Sequence, residues 1–157
     1  MHLSTIVLVV AGAAAVAALI LVVPRALLGR AQDRLAKELL KDEHAPFQLL
    51  TRAELCAGKY RREPGVLGLT EGAVEFRGIF GEAETIATAR IQKIVTGSRL
   101  SNGRRLLLRE ALRLARSNGD DLDFVLSRAS ASAWRSHLGL WAVRERKTAM
   151  DLVTPGR

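Results

Sequence analysis

Residues 104–116 read R-R-L-L-L-R-E-A-L-R-L-A-R, and whether they form a helix or a strand decides the fold. Taken alone the run is rich in helix formers and stops near Gly119, a natural helix end. Its second half, A-L-R-L-A-R, alternates instead. S-N-G-D at 117–120 is a turn sequence, and D-L-D-F-V-L-S at 121–127 alternates again, with Leu122, Phe124 and Leu126 on one face. Two alternating runs about a turn make a hairpin, so the pattern predicts strands; a helix here would dismantle the sheet.

Upstream, the punctuation is also that of short strands. Leu49 to Tyr60 reads as a first strand, closed by a charged turn at Arg61, Arg62, Glu63, Pro64 and Gly65. V-L-G-L-T, a turn at Glu71 and Gly72, and A-V-E-F-R follow as a hairpin. Gly78 and Gly81 bracket Ile79 and Phe80, and Glu84 to Thr88 is extended. The β-branched Thr85, Ile86, Thr88, Ile91, Ile94 and Val95 suit a half-buried pleated surface. Downstream, Ser130 or Ser132 can cap a helix whose stripe is Ala131, Trp134, Leu138 and Trp141. Gly139 weakens that helix by about 1 kcal/mol, Arg144 to Lys147 place positive charge at its negative end, and 148–157 is a tail.

At the amino-terminal end, Leu3 to Val23 contains no charged residue and no Pro. About 20 apolar residues make a helix about 30 Å long, the thickness of bilayer hydrocarbon. The segment is expected to be a transmembrane helix. A cleaved secretory signal is the competing reading, but such signals have a basic start and a shorter apolar core; here the A-x-A pattern lies mid-span and only His2 and the amino terminus precede it. A soluble core helix would show a polar face. Arg25, Arg30, Arg34, Lys37 and Lys41 flank the span on one side alone, which places the carboxyl-terminal side in the cytoplasm and the amino terminus outside an inner (plasma) membrane. The single Cys56 rules out an internal disulfide and reads as a small buried residue.

Pro24 suits a kink or a new first turn at the membrane boundary. Leu28, Ala31, Leu35 and Leu39 then recur at helical spacing, giving a juxtamembrane amphipathic helix over 24–44 that either lies on the bilayer or acts as a spacer. Its five bases and four acids between Arg25 and His44 are no polybasic lipid switch, and Pro46 breaks it. What is left of the 157 residues is enough for one domain, 45–147. A 48% hydrophobic content lets that domain bury a core.

The net charge of +8 is uneven. Arg90 to Arg116 holds eight Arg and Lys against Glu110, whereas Glu63 to Ala89 holds five Glu against Arg77. Beside a membrane such a basic stretch attracts anionic headgroups. Nucleic acid would suit a pI near 10.7, but aromatics at 4% leave little to stack on bases, and no nucleic acid partner is expected.

P-G-V-L-G-L-T-E-G-A-V-E-F-R, E-T-I-A-T-A-R-I-Q-K-I-V and A-L-R-L-A-R-S-N-G-D-D-L-D-F-V-L, with Trp134 following, resemble the GRAM and bacterial pleckstrin-homology-like families over about Leu49 to Val143. The resemblance implies a mainly β fold with a C-terminal helix: a pleckstrin-homology-like, partly open barrel of two nearly orthogonal antiparallel sheets, closed at one end by the helix. It makes Trp134 a core plug. Eukaryotic relatives that bind phosphoinositides carry bases in the first hairpin; Lys59, Arg61 and Arg62 occupy that turn but lack the spaced pattern, so inositide specificity is not implied. Many bacterial relatives are protein-interaction modules.

Catalytic chemistry finds no support. Ser136 and His137 are adjacent on a helix, about 100° apart, and cannot share a proton. His2, His44 and His137 lack metal-ligand spacing, so no metal or cofactor is expected. Gly78 and Gly81 lack the Lys and Ser of a phosphate loop, and Asp120, Asp121 and Asp123 read as a solvated hairpin tip. The chain is therefore expected to be a non-enzymatic, single-span adaptor that binds a protein partner. The alternative is a peripheral sensor of anionic lipids through 90–116. Candidate contact residues are Lys59, Arg61, Arg62, Lys93, Arg99, Arg104 and Arg105, with Arg25, Arg30 and Arg34 at the membrane flank and Trp134, Leu138 and Trp141 structural. The oligomeric state is left open.

Overall fold

The structure, a computed structural model, describes residues 2–41, 46–57, 61–117, 119 and 121–139, with the backbone alone for 2–15, 17–19 and 21. Helix α1 (His2–Lys41) precedes seven strands: β1 (Leu49–Ala57), β2 (Arg61–Leu69), β3 (Ala73–Gly78), β4 (Ala83–Ala87), β5 (Ile91–Gly97), β6 (Arg109–Arg116) and β7 (Asp121–Ser127). A 3-10 turn, Thr88–Arg90, leads into β5. Helix α2 (128–139) follows β7 directly. The alternating run at 109–127 is thus a hairpin, paired from Arg109↔Ser127 to Ala115↔Asp121.

All strands join one curled, antiparallel half-barrel sheet in the order β4-β3-β2-β1-β7-β6-β5. This corrects the expectation of two sheets. Glu54↔Val125, Leu55↔Phe124 and Cys56↔Asp123 pair β1 with β7, so the β1–β4 meander and the β5–β7 meander share a ladder. The remaining free edges are β4 and β5.

Period-two alternation sends Leu55, Leu67, Leu69, Phe76, Leu112 and Phe124 to one face, where Trp134 of α2 covers them. Trp134 is wholly buried, as is Ala131, and Leu138 is 2% exposed; Trp141 lies outside the described residues. The Phe76 and Phe124 rings meet at 5.7 Å, tilted by 45°. The helix cap is Ser127, not Ser130 or Ser132. Its Oγ accepts the backbone N–H of Ser130 at 3.1 Å, and Ser130 Oγ in turn accepts from Thr51 at 2.9 Å, tying the helix start to β1.

The charged segment 61–65 is also corrected: it is the first half of β2, not a turn. Glu63 is buried there, and its Oε1 accepts the N–H of Phe80 at 2.9 Å. Pro64 fits because the ladder to β3 begins one residue later, at Gly65↔Gly78, so its missing N–H costs no bond on that side. A Cβ on Gly65 would lie 2.2 Å from the Arg77 carbonyl oxygen and 2.7 Å from the Phe76 ring. The first strand ends at Ala57, and 58–60 lie outside the described residues.

Helix α1 runs unbroken through Pro24, so no fresh first turn starts there, although the proline withholds one N–H from the helical ladder. Its second half packs against β1 and β2. Gln32 Nε2 donates to the carbonyls of Ala53 (3.0 Å) and Gly65 (2.8 Å), which face each other across the two strands. Arg52 Nε and Nη2 grip Asp33 at 2.7 and 2.6 Å. Ala31, Leu35 and Leu39 are half-buried, while Arg30, Arg34 and Lys37 are exposed. In the first half, Val16, Ile20 and Val22 are each more than half exposed, as is Leu27 beyond Pro24. Among the described residues no helix is long and apolar enough to cross a membrane; most side chains of Leu3 to Val23 lie outside those described.

Candidate functional site

The β5–β6 connection, 98–108, carries Arg99, Arg104 and Arg105 and is held in place from below. Leu100 and Leu106 turn inward and pack with Cys56, Ala111 and Val125 on the sheet face opposite Trp134. Backbone bonds from Leu100 N to Arg104 O (3.0 Å) and from Leu106 N to Ser98 O (2.7 Å) close the loop on itself, and Gly103 supplies the positive φ of 81° that its tip requires. Asp123, 1% exposed, fastens the loop to the sheet. Its Oδ2 accepts the N–H of Ser101 at 2.5 Å, while Oδ1 accepts Arg113 Nε at 2.7 Å. This corrects the reading of Asp123 as part of a solvated tip; Asp121 is exposed and Asp120 lies outside the described residues.

The candidate bases divide into two groups. Arg61 pairs with Glu82 at 2.6 Å and Arg62 with Glu54 at 3.9 Å, so both are drawn onto the sheet. Glu54 also takes Arg109 in an ion pair. Lys93, Arg99, Arg104 and Arg105 are exposed, and none has an ion pair among the described residues. Arg99 and Arg105 face each other across the loop in an isolated bridge. Lys59 lies outside the described residues.

The pattern of 106–108 contains a signal that sequence reasoning missed. Three consecutive leucines cannot all enter an alternating sheet face. Only Leu106 does; Leu107 and Leu108 are 79% and 85% exposed. They sit between Arg104 and Arg105 on one side and Arg109 on the other, and Arg128 Nη2 donates to the Leu107 carbonyl at 3.2 Å.

A cavity of about 490 Å³ opens between α1 and the β1–β7 seam beside this loop. Arg25 and Gln32 of α1, Glu54 of β1, Arg109 of β6, and Ser127 and Ser130 at the start of α2 line it. Arg25, two residues beyond the apolar run, and Arg109, one residue beyond Leu108, therefore line the same cavity. Arg30 and Arg34 continue along α1, exposed.

Two titrating groups are shifted. Burial pushes the Cys56 thiol above its ordinary range, an effect that nearby Arg62 and Arg104 partly oppose. The hydrogen bond to Asp123 raises Arg113 further. Around Ser136 and His137 each side chain bonds back along α2, Ser136 Oγ to the Ser132 carbonyl (3.2 Å) and His137 Nδ1 with the Ala133 carbonyl (2.9 Å). Among the described residues no group of His, Cys, Asp and Glu is placed to hold a metal ion.

No protein-family model matches the sequence, and no curated protein matches it. The fold does have relatives of known structure. The chain is similar to the C-terminal domain of an unknown protein from Leishmania infantum, with a TM-score of 0.52 and 12% identity over 69% of this chain and 93% of that one. At that identity the likeness is one of fold.

Proposed function

We propose that this chain is a membrane-tethered adaptor: a pleckstrin-homology-like half-barrel held at the cytoplasmic face by one amino-terminal span, where it binds a protein partner. The carrying observation is the continuity of α1. The helix that holds the apolar run Leu3 to Val23 is the same helix that Gln32 and Asp33 fasten to β1 and β2. Whatever grips its first half fixes the position of the sheet. The uninterrupted apolar sequence supports a bilayer as that grip, as do the exposed Val16, Ile20 and Val22 and the one-sided arginine flank. A curled sheet plugged by a Trp-bearing helix is compatible with the pleckstrin-homology-like fold, and many bacterial proteins of that family look like interaction modules. Pairing of Arg61, Arg62 and Arg109 with carboxylates takes those three bases out of a purely electrostatic headgroup sensor and supports a protein partner.

Full-length protein expressed in bacterial cells should stay with membranes through alkaline carbonate, and its domain should be cleaved by protease in inverted vesicles but not in spheroplasts. Carbonate release, or a mature amino terminus near residue 20, would reject the tether. Detergent affinity purification should then recover the same protein at low and high ionic strength; loss of every companion at high salt would turn the reading toward lipid.

A further inference from the structure

Leu107 and Leu108 are the most exposed large apolar side chains among the described residues, and nothing in the adaptor reading uses them. Their surroundings identify what they meet. Arg104 and Arg105 precede them, Arg109 follows, and Arg128 holds the Leu107 backbone. An apolar pair flanked in the chain by arginines fits a surface that is oily inside and anionic at its rim, which is an acidic lipid bilayer. A protein groove that accepted both leucines would have to desolvate the arginines as well.

Position gives the second argument. Arg25 and Arg109 line the same cavity, so the loop lies at the place where α1 passes from its apolar half to its docked half. The loop is also held down, with Leu100 buried, Leu106 half-buried and Ser101 bound to Asp123. Little side-chain or loop ordering remains to oppose insertion.

We propose that residues 104–109 form a second membrane contact, in which Leu107 and Leu108 enter the acidic leaflet beside the span while Arg104 and Arg105 meet lipid phosphates. This rests on the tether reading and adds to it: the domain is held at two points, so its orientation to the bilayer is fixed.

The test uses full-length protein in a Cys56→Ala background, reconstituted into vesicles of phosphatidylcholine with or without phosphatidylserine. An environment-sensitive dye is placed at Leu108→Cys, or at Ser117→Cys just past the far end of β6, about 30 Å away by strand rise. The dye at 108 should shift to the blue and be quenched by a lipid-borne nitroxide in the phosphatidylserine vesicles, the dye at 117 in neither. Arg104→Glu with Arg105→Glu should abolish the shift while the protein still floats with the vesicles. A dye at 108 that stays open to aqueous iodide in floating protein overturns the proposal and leaves the tether standing; shielding from both quenchers means a protein contact and also overturns it. Failure of the chain to float at all removes the tether, and the loop contact with it.

Discussion

Asp123 shows how much one side chain can hold. A single carboxylate, 1% exposed, accepts from the Ser101 backbone and from Arg113, joining the β5–β6 loop to the sheet. Removing one partner of a buried pair costs about 3–5 kcal/mol; Arg113 keeps some water, with its side chain 25% exposed, so Asp123→Ala should cost about 3 kcal/mol in urea unfolding. A loss under half of that would mean water replaces the carboxylate. Across β1, Cys56 carries a pH signature. Burial raises its folded-state pKa, so the native state holds the thiol proton where the unfolded chain has released it. Stability is then fully present below the ordinary thiol range, near pH 8.5, and falls as pH rises through it. The urea midpoint should drop over that interval in the parent and stay flat in Cys56→Ala; equal slopes would exclude the thiol as the cause. The burial of Cys56 was readable from its type. That of Asp123 was not, because D-D-L-D beside a turn is locally the sequence of a solvated tip, and only the returning 98–108 loop, distant in sequence, covers it.

Among the elements, β6 and β7 were legible because Leu112 and Leu114, and Leu122, Phe124 and Leu126, recur at every second position on either side of the turn sequence S-N-G-D. Strand β2 was harder to see, since Arg61, Arg62 and Pro64 all argue locally for a turn. What makes it a strand is tertiary: Glu63 finds the Phe80 N–H, and Gly65 allows Phe76 to close over the backbone. Gly65→Ala should accordingly cost at least about 1–3 kcal/mol, the usual penalty of overpacking, because the new Cβ meets a carbonyl oxygen as well as a ring; near-parental thermal unfolding would contradict the close approach. The second half of helix α1 reads from its sequence as a helix lying on the bilayer or acting as a spacer, and its stripe of Leu28, Ala31, Leu35 and Leu39 is visible there, but the polar clamp is hidden in it. Gln32 and Asp33 look like ordinary solvent-facing residues until β1 and β2 offer two carbonyls and Arg52. Two hydrogen bonds at about 1 kcal/mol each put Gln32→Ala near a 2 kcal/mol loss, whereas the exposed Asp33–Arg52 pair contributes at most about 1 kcal/mol, so Asp33→Ala should be the milder of the two in the same assay.

On the scale of the whole molecule, a single curled sheet has two open edges and needs its outer surface covered. The 98–108 loop covers part of one face and the second half of α1 packs on β1 and β2. That makes the helix structural before it is anything else, and it separates two pictures of the tether. If α1 were a passive leash, a chain beginning at Pro46 would unfold at the same urea concentration as one beginning at Arg25. Because the segment contributes the Gln32 bonds, the Asp33 pair and the half-buried Ala31, Leu35 and Leu39, the shorter chain should instead lose about 2–4 kcal/mol and show faster amide exchange along β2. Equal midpoints with unchanged exchange would mean the helix merely rests on the sheet, and the domain would then be free to turn about its span. A large difference means that force or position imposed on the apolar half is delivered directly to the strands that carry Glu54, Arg62 and the β1–β7 seam.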